Sequence, residues 1–65
     1  MREWLIELRE KSALSQEEVA AKAGISQSFY SAIELGNRGS KLPVQTAKKI
    51  AEVLDFKWDM FYQTQ

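Results

Sequence analysis

Only two residues of this chain separate the signal that ends one predicted helix from the signal that begins the next. The segment Ser15–Glu18 (SQEE) is a capping box, in which the first and last side chains each accept the other residue's backbone N–H. The helix that it begins runs to about residue 23, where Gly24 supplies the left-handed conformation of a helix end. Ser26 caps the next helix, so Gly24 and Ile25 alone form the connection. A connection this short makes the two helices cross steeply.

The remaining segments also show apolar residues at helical spacing. A first helix is predicted over residues 2–11, and helices over 16–23 and 27–35 form the closely connected pair. Pro43 suits the first turn of a fourth helix, and a short last helix carries Trp58, Phe61 and Tyr62. Three apolar faces are expected in the core: Trp4, Leu5 and Leu8; Val19, Ala20 and Ala23; Val44, Ala47, Ile50, Ala51 and Leu54. The sequence therefore predicts an all-α fold of five helices, in a single domain covering residues 1–65.

The composition excludes several function classes. With 65 residues, no cysteine and no histidine, the chain has neither a disulfide, nor a thiolate or imidazole metal site, nor a nucleophile activated by histidine. Its apolar runs are too short to cross a membrane, and no secretory signal is expected because the first residues lack the pattern of one. We expect a cytoplasmic protein that is not an enzyme and that takes no metal, cofactor or small-molecule ligand.

The formal net charge is zero, but the charges are unevenly distributed. Residues 22–49 contain five cations and one anion, a net charge of +4. The rest of the chain contains four cations and eight anions, a net charge of −4. Nucleic-acid-binding domains usually carry a basic face. The chain is therefore polarised into a basic and an acidic half, which fits either a nucleic-acid-binding face or an uneven solvated surface.

Residues 16–35 meet the steric demands of a steep helix crossing. A small residue, Ala20, stands where the two helices touch, and Gly24 stands at the turn. The residues that anchor both helices to the core are Val19, Ala23, Ile25, Tyr30 and Ile33. These positions agree with the helix ends predicted independently from the caps.

On these residues the chain resembles a known family. The segment Leu14–Ser26 (LSQEEVAAKAGIS) followed by Ile33–Gly36 (IELG) is similar to the Cro and lambda-repressor-like helix-turn-helix family. Leu8-Arg9 resembles the family's first helix, and Ile50–Leu54 resembles its fourth. The resemblance implies a five-helix domain that binds double-stranded DNA, often as a dimer and often as a transcriptional repressor. It is compatible with a regulator of phage, mobile-element, antitoxin or restriction-control type.

The third helix is expected to recognise bases. At about 100° per residue, Phe29, Tyr30 and Ile33 lie on one side of this helix. The other side carries the short side chains of Gln27, Ser28, Ser31 and Ala32. Such a side can approach the major groove closely, where glutamine can pair with adenine through two hydrogen bonds. The resemblance further implies that Gln16 supports Gln27 in this contact.

Phosphate contacts are expected at the helix starts and in the loop after the third helix. The N-terminus of a helix offers free N–H groups and a partial positive charge to an anion. The residues assigned to phosphate are Gln16, Glu17, Ser26, Asn37, Arg38 and Lys41. The resemblance also places Arg9 beside Glu34, a pair that would hold the third helix from behind.

The C-terminal aromatic residues have two interpretations. Phe61 is expected in the core, where Trp4 can contact it. Trp58 and Tyr62 are candidates for a homodimer seam, together with the loop at residues 37–42. Two copies would recognise a palindromic operator. An alternative to DNA binding remains open at this point: the same fold could serve as a protein-interaction module, which the neutral net charge and Phe29-Tyr30 would favour.

Overall fold

The computed structural model describes residues 1–36 and 42–63, and within these ranges it contains five helices and no strand. They are α1 (Glu3–Lys11), α2 (Gln16–Ala23), α3 (Gln27–Leu35), α4 (Val44–Leu54) and α5 (Met60–Gln63). The all-α prediction is confirmed. No helix in the described ranges is long and apolar enough to cross a membrane.

The caps fix the ends of α2 and α3 as the sequence predicts. Ser15 Oγ accepts from the Glu18 N–H at 3.1 Å, and the Ser15 N–H donates to Glu18 Oε1 at 2.8 Å. Ser26 Oγ accepts from the Phe29 N–H at 3.1 Å. Both helices end on a glycine with positive φ, +76° at Gly24 and +80° at Gly36. A side chain at either glycine would strain the backbone.

The core lies where α2 packs against α3 and α4, with α1 on α3. Its largest fully buried side chains are Leu5, Val19, Tyr30 and Ile50. Ala20 and Ala23 are each only 2% exposed, so α2 meets its neighbours through small side chains, as expected of a steep crossing. The predicted apolar faces are wrong at two residues: Leu8 is only half-buried and lies outside the core cluster, and Val44 is exposed. Val44 is 47% exposed because it lies in the first turn of α4, before the helix reaches the core.

The C-terminal segment closes the core with aromatic rings. Trp4, Phe56 and Phe61 pack edge to face, with ring centroids 5.3–5.6 Å apart. The prediction that Phe61 belongs to the core is confirmed, since it is 5% exposed. Trp58, however, is not part of the last helix. It lies in a turn before α5, in which N–H groups donate to the carbonyl three residues back, a tighter winding than an α-helix has.

Candidate nucleic-acid interface

The outward face of α3 and the start of α2 together form a shallow hollow of about 460 Å³ on the surface. It is lined by Gln16, Gln27, Ser28, Ser31, Ala32 and Leu35. Gln27 and Ser28 are exposed, while Ser31 and Ala32 are half-buried. The structure thus brings together all four predicted base-recognition residues with Gln16. Leu35, which is 47% exposed, adds an apolar edge.

Two helix starts flank this hollow. At α2 the Gln16 and Glu17 N–H groups have no acceptor among the described residues, and at α3 the same holds for Gln27 and Ser28. These groups can donate to an anion. The hydroxyl of Ser26 accepts from Phe29 and keeps its own proton for donation. Glu17 can contact a phosphate only through its backbone, because its exposed carboxylate would repel one.

A buried ion pair holds α3 from behind. Arg9 Nε donates to Glu34 Oε2 at 2.7 Å, and Arg9 Nη1 donates to the Leu14 carbonyl at 3.0 Å. The Glu34 side chain is 3% exposed and that of Arg9 15%. The pair expected from the resemblance is therefore present, and it ties α3 to α1 and to the loop before α2.

The second carboxylate oxygen of Glu34 engages Gln16. Gln16 Nε2 donates to Glu34 Oε1 at 2.8 Å. Because an ionised carboxylate only accepts hydrogen bonds, this contact fixes which end of the Gln16 amide faces Glu34. The carbonyl oxygen of Gln16 is left for the hollow. Sequence reasoning placed Gln16 with Gln27; it did not foresee that Glu34 orients the amide of Gln16.

The electrostatics of this network follow from burial and hydrogen bonding. Burial alone would raise the pKa of Glu34, but the hydrogen bonds from Arg9 and Gln16 bring it below its ordinary value of 4.5. The hydrogen bond to Glu34 raises the pKa of Arg9. Burial raises the pKa of the Tyr30 hydroxyl, which lies beside both groups and makes no regular hydrogen bond with the described residues. Glu34 is thus ionised at neutral pH.

This shift predicts a specific acid sensitivity. A carboxyl group whose folded pKa is lowered stabilises the fold fully above its unfolded pKa, and that contribution is lost as pH falls through the folded value. We expect the free energy of unfolding in urea to fall below about pH 4.5. It should fall less steeply in Glu34→Gln, which cannot titrate. Parallel pH profiles for the two proteins would show that Glu34 contributes nothing to this dependence.

Arg2 has a role at this site that sequence reasoning missed. Its backbone N–H donates to the Glu34 carbonyl at 2.8 Å, and its guanidinium donates to the Ile33 carbonyl. The guanidinium also lies 5.3 Å from the centroid of the Phe61 ring. Arg2 therefore satisfies the last carbonyls of α3, where a cation is favoured by the helix dipole. The two residues of this contact are 31 positions apart in the sequence, so no local sequence pattern could predict it.

Three of the predicted phosphate contacts, Asn37, Arg38 and Lys41, lie outside the described residues, as do residues 37–41 of the proposed seam. The other seam candidates form a cluster. Trp58 and Tyr62 pack edge to face at 6.0 Å, and Lys48 Nζ lies 5.3 Å from the centroid of the Trp58 ring. Tyr62 also donates through its hydroxyl to the Leu42 carbonyl at 2.8 Å, so part of its role is internal. The two rings remain 37% and 44% exposed.

Comparison with known proteins agrees with the helix-turn-helix arrangement of α2 and α3. The sequence model of the helix-turn-helix family matches residues 5–61. The chain is 43% identical over 63 residues to the uncharacterised HTH-type transcriptional regulator YqaF of Bacillus subtilis (strain 168). That alignment covers 97% of this chain and 80% of the relative. No solved structure matches the chain significantly.

Proposed function

The chain belongs to the helix-turn-helix family of DNA-binding transcriptional regulators, and from that premise we propose that it is a repressor that recognises a palindromic operator with the outward face of α3. It acts in the cytoplasm and needs no cofactor. Occupation of the operator blocks access to a promoter. Its regulatory setting is a prophage, a mobile element or an antitoxin-type operon.

The hollow on α3 carries this proposal. Its side chains are short and uncharged, so the backbone of α3 can approach the floor of the major groove. Gln27 and Ser28 lie at the N-terminal end of α3, where recognition helices contact base edges. Gln27 pairs with adenine N6 and N7, and Ser28 donates to or accepts from a neighbouring base. Ser31 and Ala32 lie one turn further on, where the Ala32 methyl group suits the methyl group of thymine.

Phosphates on either side of the groove fix the register of α3. The free N–H groups at Gln16 and Glu17 and the hydroxyl of Ser26 are donors at one border of the hollow. Asn37, Arg38 and Lys41, which lie outside the described residues, are assigned further phosphate contacts. The Arg9–Glu34 pair contributes indirectly, because it sets the position of α3 against α1.

Selection of bound genomic fragments tests the proposal. Purified protein should enrich fragments that share a two-fold-symmetric site, with half-site centres roughly 34 Å apart along the helix axis. Binding to that site should weaken as salt rises, because phosphate contacts release counterions. If no common site is enriched, and if binding to mixed genomic DNA does not depend on salt, the fold serves a protein partner instead of an operator.

Dimerisation on the operator is the second part of the proposal. Trp58 and Tyr62 form the candidate seam, since an exposed pair of aromatic rings on so small a domain is typical of an interface. Trp58→Ala is expected to weaken operator binding by about ten-fold, because a buried interface tryptophan typically contributes more than ~1 kcal/mol. Binding to DNA that lacks the operator should change little.

Tyr62→Phe is the matched control for this seam. It removes the hydrogen bond to Leu42 but keeps the ring, so it tests the internal role alone. Sedimentation at increasing concentration, with and without operator, reports the assembly directly. A strict monomer that binds one half-site at one-to-one stoichiometry would rule the dimer out.

A further inference from the structure

An apolar groove of about 600 Å³ runs between α1 and the segment from Phe56 to Met60. Its floor is formed by Trp4, Leu8, Phe56 and Met60, all half-buried. Trp4 and Phe56 pack against the core, and all four side chains still show apolar surface to solvent. Neither the proposed DNA contacts nor the proposed dimer seam uses this surface.

The groove lies on a different face of α1 from the one that holds α3. Trp4 precedes Arg9 by five positions, which at about 100° per residue places the two side chains roughly 140° apart around the helix. Arg9 contacts Glu34 of α3, so the Trp4 side of α1 is turned away from the recognition helix. A molecule bound in this groove would therefore leave the outward face of α3 free.

The border of the groove is acidic. Glu7 and Glu10 line it and are exposed, and Glu3 lies one turn before Glu7 on the same side of α1. A single cation, Lys11, lines one end. This charge disfavours DNA or another anion as the occupant. It also disfavours a second copy of the chain, because a symmetric pairing would bring the two rows of carboxylates together.

We propose that this groove, here called the α1 groove, binds a basic amphipathic helix of a partner protein. Such a helix inserts apolar side chains at positions i, i+3, i+4 and i+7 into an apolar groove. Its lysine or arginine side chains pair with Glu7 and Glu10 along the border. Apolar contact supplies the affinity, and the carboxylates set which helices are accepted. The partner would thereby contact the regulator while it remains on DNA.

A synthetic peptide tests this inference without knowledge of the natural partner. The probe is a helical peptide of about four turns with leucine at i, i+3, i+4 and i+7 and lysine on its other faces. Two controls accompany it: the same composition in scrambled order, and the same leucine pattern with glutamate in place of lysine. Binding is followed by NMR titration of the full chain. We expect only the patterned basic peptide to shift the Trp4 indole and Met60 methyl signals.

Two double variants separate the α1 groove from general charge attraction. Glu7→Gln with Glu10→Gln should weaken binding of the basic peptide by about five-fold, as expected for two exposed ion pairs. Glu52→Gln with Asp55→Asn removes the same charge elsewhere and should leave the affinity for the peptide unchanged. Equal binding of the basic and acidic peptides, equal effects of both double variants, or shifts confined to other surfaces would overturn the proposal. So would self-association of the chain through Met60, tested by sedimentation of Met60→Lys.

Discussion

Replacing Arg9 with alanine is expected to destabilise the fold by about 3–5 kcal/mol, the cost of leaving one member of a buried ion pair without its partner. Glu34 is only 3% exposed, so its carboxylate would keep the Gln16 amide as a donor but lose the cation that balances its buried charge. The Leu14 carbonyl also loses its hydrogen bond from Arg9. A domain of this size has a total stability on the order of 3–10 kcal/mol. Urea unfolding should therefore show a protein that is marginally folded at 25 °C.

Two further variants isolate the pair. Lys11→Ala removes an exposed cation from the same helix and should change stability by less than about 0.5 kcal/mol. A double-mutant cycle of Arg9→Ala with Glu34→Gln measures the coupling directly, since neutralising Glu34 removes the buried charge that makes the single variant costly. If the two substitutions are additive, the contact carries no energy and the position of α3 depends on packing alone.

Replacing Gln27 with alanine should weaken operator binding by about 1–3 kcal/mol, the usual worth of a bidentate base contact. The side chain is exposed and lines the hollow, so its removal should leave the free energy of unfolding unchanged. Discrimination should relax at one position of each half-site. The measurement is a set of equilibrium titrations against the selected operator and its single-base variants.

Binding of Gln27→Ala to DNA without an operator serves as the internal control and should match that of the wild type. Gln45→Ala is the matched protein control, because Gln45 is an exposed glutamine on α4 outside the hollow. It should preserve the preference among operator variants. A Gln27→Ala protein that ranks every variant as the wild type does would remove Gln27 from base recognition.

Most of the fold could be predicted because its helix ends are determined locally. The capping box at Ser15, the cap at Ser26 and the two glycines at helix ends act within four residues of themselves. The last helix was predicted less well. Trp58 has the right spacing from Tyr62 for a helix, but the residues before Met60 form a tight turn with shorter hydrogen-bonded rings. Apolar spacing alone does not distinguish such a turn from the start of a helix.

The residues of the site could be predicted where helical periodicity decides which side of a helix they occupy. Contacts between residues far apart in the sequence could not be predicted. The outward face of α3 follows from helical periodicity, and the structure gathers those residues around one hollow. The contacts of Arg2 with Ile33 and of Gln16 with Glu34 join residues 31 and 18 positions apart. No local pattern contains such information. The Arg9–Glu34 pair, whose residues are 25 positions apart, was expected only from the family resemblance.

The two faces of α3 have separate roles, since one packs in the core and the other is exposed. Tyr30, Ile33 and Glu34 hold it in the protein, whereas Gln27 and Ser28 make no contact on which the core depends. Exchange of the outward side chains should therefore alter the preferred operator at almost no cost in stability. A gene duplicate could acquire a new target in a few substitutions without passing through an unfolded intermediate. Changes at Arg9 or Glu34 lack this freedom, and descendants should alter both together or neither.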